Sequence, residues 1–192
     1  MPKQKITKEM VVNAAFELAR EGGIEQITVK AIAKRLCCSV QPIYTYCASM
    51  EGLRKEVAEK AKTYVKEYTA ARIDKTDPFR GTGRVHLQLA KEEPNIYKMF
   101  IFRQRENVST LEELYREEAD PQLAEAISER LNISVSKAKQ LHLNMIIYTI
   151  GIGAIFSGTI PGIPAEEIFS QQEYAYQAFL NQALKEDGDN HE

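Results

Sequence analysis

The residues whose types and spacing could do chemistry crowd into one short stretch. Thr28 and Ser39 each stand where a helix would begin. A hydroxyl at that position lies beside free backbone N–H groups, which receive phosphate oxygens well. Lys30, Lys34 and Arg35 lie on and beside the helix between them. After Ser39 come Val40, Gln41 and Pro42, then Tyr44, Thr45 and Tyr46. Gln41 can address a base edge, and the two tyrosines and Thr45 suit phosphate or methyl contacts. This is the chemistry of recognising double-stranded DNA, and it makes and breaks no covalent bond. No nucleophile elbow, phosphate loop or zinc-hydrolase motif occurs, so the expectation is that the chain is not an enzyme.

The charge supports that reading once it is divided along the chain. The 192 residues sum to −2, with 44% hydrophobic and 27% charged, an ordinary globular balance. Residues 1–75 sum to +5 and residues 76–192 to −7. A basic head on an acidic body suggests two tasks in one polypeptide. The N-terminus has no apolar signal region, and the longest apolar stretch, Met145 to Phe156, is far short of the roughly 20 residues that span a bilayer. The expectation is a cytoplasmic protein with no membrane partner.

The elements that must position these residues are all helical. Thr7 opens the first helix, which ends at Gly22 and Gly23. Thr28 caps a second, and Ser39 a third that ends near Tyr46, with Pro42 in its first turn. Ser49 caps a long fourth helix. Asp77-Pro78, Glu93-Pro94 and Asp120-Pro121 open three more, and Ser134 or Ser136 opens an apolar helix to about Ser157. A last amphipathic helix covers 165–185, before a polar tail. The fold class is therefore all-α with about nine helices: a three-helix head over 1–47 and a larger helical bundle over 48–192. Two short helices joined by Leu36-Cys37-Cys38-Ser39 have the layout of a helix-turn-helix.

At this level of detail the chain resembles the TetR family of transcriptional regulators. The likeness is carried by Ala14-Ala15-x-x-Leu18-x-x-x-Gly22, Thr28-Val29-x-x-Ile32-Ala33, Ser39-x-x-x-Ile43-Tyr44-x-Tyr46 and Glu51-x-Leu53. It covers about the first quarter of the chain. The resemblance implies a homodimeric regulator, most simply a repressor, whose heads read a pseudo-palindromic operator and release it when a small-molecule effector binds the body. The sequence departs from the commonest pattern at Cys37, the turn glycine; at Cys38; at Tyr46-Cys47, in place of His-Phe; and at Met50, in place of a lysine. Losing that lysine should flatten the salt dependence by about one unit.

Cys37, Cys38 and Cys47 match no zinc spacing, so neither metal nor cofactor is expected. Cys37 and Cys47 read as small buried hydrophobes. Two alternatives stand beside the main reading: a redox-sensing repressor using the three cysteines, and a helical interaction protein with a degenerate head. For the effector, the candidates are His86, Tyr97, Phe100, Phe102, His142, Met145, Tyr148 and Thr149, polar groups among aromatic and apolar walls. For the dimer interface, Gly151, Ala154, Ile155 and Gly158 share one face of the apolar helix, with Tyr176, Phe179 and Leu180 on the last helix. The acidic run from Glu112 to Asp120 reads as a solvated helix face.

Overall fold

Short polar side chains start most of the helices. The Thr7 hydroxyl accepts the Met10 N–H at 3.2 Å, Thr28 that of Ala31 at 3.1 Å, Ser49 that of Gly52 at 2.9 Å, and Ser134 that of Lys137 at 3.3 Å. Each such bond satisfies one of the orphan donors of a first helical turn. The computed structural model describes residues 6–47, 49–160 and 162–185, which form ten α-helices and no strand. They are α1 Lys8–Gly22, α2 Val29–Arg35, α3 Gln41–Tyr46, α4 Met50–Arg72, α5 Pro78–Glu92, α6 Pro94–Ile101, α7 Leu111–Glu118, α8 Pro121–Leu131, α9 Val135–Phe156 and α10 Ala165–Lys185. A single 3-10 turn, Ile24–Gln26, joins α1 to α2. The expected polar tail lies outside the described residues. Among those described, no helix is long and apolar enough to cross a membrane.

One start differs from expectation. The α3 helix begins at Gln41 with no side-chain cap, so Ser39 does not cap it. If Ser39 were the cap, Pro42 would hold the position whose N–H such a hydroxyl usually accepts, and proline has none. At α6 the Glu93 side chain makes no cap bond either. Its carboxylate instead accepts Arg20 Nε, and Asn95 Nδ2 donates to the Arg20 carbonyl at 2.9 Å. The acidic run holds a helix of its own, α7, opened by a capping box in which Thr110 and Glu113 satisfy each other's backbone N–H groups.

The chain separates into two compact units. One takes the described residues up to 71 together with Glu92–Arg103, and the other takes Arg72–Lys91 with the described residues from 104 on. The first unit thus holds α4 as far as Ala71, and α6, together with the helix-turn-helix. In the first unit Val11, Ala15, Ala19, Ile32, Ile43 and Val57 are buried. The Phe16 and Tyr64 rings meet at 5.9 Å. In the second, α9 packs on α7, α8 and α10. One core there gathers Ile127, Ile133, Leu141, Met145 and Tyr176; another gathers Tyr115, Ala124 and Leu143.

Candidate nucleic-acid interface

The α2–α3 corner is built from its backbone outward. Cys38 N–H reaches the Ala33 carbonyl at 3.0 Å and Cys37 N–H reaches that of Lys34 at 3.2 Å. These two bonds close a Schellman motif, which requires a left-handed residue between them. Cys37 supplies it with φ +50°. Its thiol is exposed, which corrects the reading of Cys37 as a buried hydrophobe. A left-handed backbone at the corner points its side chain outward, whatever its polarity. Cys47 is half-buried, and burial, helped by nearby Glu56, pushes its thiol pKa up, so it stays protonated near neutral pH.

A single buried side chain, Ile43, anchors α3. Around it Val40, Gln41, Tyr44 and Thr45 are exposed, Tyr44 by 62%, while Pro42 and Tyr46 are half-buried. Ser39, Thr28 and Lys30 are exposed as well. All nine DNA candidates lie on α2, on α3 or on the residues just before them, and seven of the nine are exposed. Two have part of their capacity taken. The Thr45 hydroxyl donates to the Gln41 carbonyl at 3.1 Å, which leaves its methyl for contact. The Thr28 hydroxyl oxygen accepts from Ala31 and keeps its proton to give. Arg35 is drawn into an ion pair with Glu21, which lowers the Glu21 pKa. Lys30 and Lys34 are the exposed cations left on α2.

The effector candidates divide between the two units. Tyr97, Phe100 and Phe102 belong to the first, where Tyr97 is fully buried, Phe100 half-buried and Phe102 74% exposed. His86, His142, Met145, Tyr148 and Thr149 belong to the second. His142 is 6% exposed; its Nδ1 meets the Tyr115 hydroxyl at 3.0 Å, and its ring stands edge-on to Phe79 and Tyr115. Burial drives its pKa down to about 4, so it is neutral at pH 7. Two turns further along α9, buried Thr149 accepts from Gln172 Nε2 at 3.2 Å. A Cβ on Gly83 would stand 2.4 Å from that nitrogen, so Gly83 makes room for it. Gln172 was absent from the sequence candidates. Its signal was a glutamine in the inner register of α10, in line with Ile168, Ala175 and Tyr176.

The dimer candidates also divide. Tyr176 is 7% exposed and packs in the core of the second unit, its ring 5.7 Å from Phe79, so it is not on an outer face. Phe179 and Leu180 are partly buried against the same core. Gly151 and Gly158 are exposed, Ala154 is half-buried and Ile155 is 62% exposed. Beyond its own stretch of helix, nothing lies within 4 Å of a Cβ placed on Gly151. Exposed Ile147 extends this α9 face, and exposed Tyr174 lies on α10. Among the described residues no group of three His, Cys, Asp or Glu side chains could hold a metal ion.

Comparison with known proteins adds two findings. Residues 11–57 match the model for bacterial regulatory proteins of the tetR family. The fold is similar to that of a transcriptional regulator from Rhodococcus sp. Rha1, with a TM-score of 0.56 at 13% identity, over 94% of this chain and 97% of that one. No curated protein matches the chain.

Proposed function

We propose, from the match of residues 11–57 to the model for bacterial regulatory proteins of the tetR family, that the chain is a DNA-binding homodimeric repressor released from its operator by a small molecule. One observation carries the reading: the face of α3 around Gln41 and Tyr44 is exposed, while Ile43 is buried against the head. A helix anchored on one side and bare on the other suits a major groove. Dimerisation is supported by the outer face of α9, where Ile147, Gly151 and Ile155 form an apolar strip. A second protomer could approach closely there, because glycine adds no bulk. An effector site is supported by the buried polar groups of the second unit, His142, Thr149 and Gln172, set among apolar walls.

Release requires that the effector bind one arrangement of the dimer better than the other. Two heads related by a twofold axis need half-sites about 34–36 Å apart, or a multiple of that spacing. An effector that favours another spacing lowers affinity without touching DNA. Selection from a random duplex library by the purified full chain tests this. The expected product is one inverted repeat with that spacing. Failure to enrich any motif would sink the proposal.

A further inference from the structure

The outer face of α3 has an unusual chemistry for a surface that meets DNA. From Cys37 to Met50 the sequence holds no Asp, Glu, Lys, Arg or His. Helix α3 falls inside that uncharged stretch, so whatever it reads, it reads without an ion. Lys30 and Lys34 lie instead on α2, the helix that in such a pair crosses the phosphate backbone.

Val40, Gln41, Tyr44 and Thr45 make up that outer face, all exposed, with Ile43 buried behind them. Three of the four present carbon. Val40 is 41% exposed and the Tyr44 ring stands out further. The Thr45 hydroxyl donates to the Gln41 carbonyl at 3.1 Å, so its methyl is the group on offer. In a major groove the base edges are donors and acceptors, and the apolar group among them is the thymine methyl. Gln41 is the first residue of α3, at the end of a recognition helix that contacts base edges. Among the described residues nothing hydrogen-bonds its side-chain amide. That amide sets a donor beside an acceptor, which matches N7 and N6 of adenine. Guanine shows two acceptors, O6 and N7, best met by arginine or lysine, and this face has neither.

We propose that each operator half-site is centred on A·T pairs, with Gln41 on the N6 and N7 of an adenine and Val40, Tyr44 and Thr45 against thymine methyls. This rests on the regulator reading above and names the bases its operator must hold. The full chain selects from a random duplex library, and the selected duplex is then altered one group at a time. The core of each half-site should be A·T. Exchanging the pair that faces Gln41 for G·C should weaken binding about tenfold, the size of one bidentate contact. Deoxyuridine in place of the core thymines removes only methyl groups and should weaken binding severalfold. Thr45→Ser keeps the hydroxyl and drops the methyl, so one of those thymine methyls should cease to matter. Gln41→Arg, a change at an exposed position, should turn the preference at one pair from A·T to G·C. Misfolding would weaken all sequences alike, so a switch confined to one pair reads base contact. A half-site with a G·C core, equal binding of thymine and deoxyuridine duplexes, or a Gln41→Arg chain with every base preference unchanged would overturn the proposal and leave a DNA-binding regulator standing. No enriched duplex at all would remove both.

Discussion

Cys37 shows how one side chain can sit badly in a sound turn. Its φ of +50° is a conformation that glycine enters freely and other residues enter at a cost of about 1 kcal/mol. Nothing near the exposed thiol offsets that cost. Cys37→Gly should therefore raise stability by up to about 1 kcal/mol in chemical denaturation, despite glycine's larger unfolded-state entropy. Cys37→Val, which is β-branched, should lower it. Such strain is not readable from composition; it is set by the two carbonyls that the corner must satisfy. The sequence did place a glycine-type turn at this residue, through the resemblance, but assigned the thiol to the interior.

His142 carries a second residue-scale prediction. Its pKa is about 4 in the folded chain and near 6.5 when unfolded, because burial disfavours the charged ring. Above pH 6.5 both states are neutral and the group contributes no slope. Between 6.5 and 4 the unfolded chain takes up a proton that the folded chain refuses, so stability falls as pH falls. The loss should approach about 3 kcal/mol by pH 4. Denaturation as a function of pH, compared with His142→Phe, measures it: the variant should lose that part of the slope. An unchanged slope would show that His142 reaches water.

At the element scale, much of the fold was legible and the exceptions have separate causes. Thr7, Thr28, Ser49 and Ser134 stand at helix starts in the sequence, and each caps its helix in the structure. Ser39 looks the same but fails, because Pro42 removes the donor it needs. The acidic run reads as a solvated helix face and does hold a helix, α7, but that reading misses its separate start at Thr110. Its capping box depends on Thr110 and Glu113 acting together, and burial pattern gives no hint of it. Glu113 accepts N–H groups from Ser109 and Thr110, which hold its pKa down to about 2. Thr110→Ala should cost about 1 kcal/mol and speed amide exchange in the first turn of α7 ahead of α8. In α10, periodicity distinguishes inside from outside, but it cannot tell a face covered by the same chain from one covered by a second. Tyr176 and Tyr174 are two residues apart, and only the structure sends one inward and leaves the other bare.

At the scale of the whole molecule, the charge split acquires a location. The described part of the basic head presents Lys30 and Lys34, while Arg35 is neutralised by Glu21. Few phosphate contacts follow, so affinity should fall modestly with salt, with a slope of only a few units. The outer strip of α9 sets the second whole-molecule expectation. Ile155→Glu places a charge on an exposed, unpartnered position, so the protomer should still fold. Sedimentation should show monomers, and operator affinity should drop with dimerisation. A dimer that survives Ile155→Glu together with Ile147→Glu would place the interface elsewhere.

The central claim is that α3 reads DNA. Footprinting the region upstream of its own gene, over a salt series and with Gln41→Ala and Tyr44→Ala beside the unaltered chain, tests it most directly. The account predicts paired protected half-sites at low salt, weaker protection as salt rises, and loss of the pattern in both variants. Absence of protection at the lowest salt, or protection indifferent to both substitutions, would contradict it.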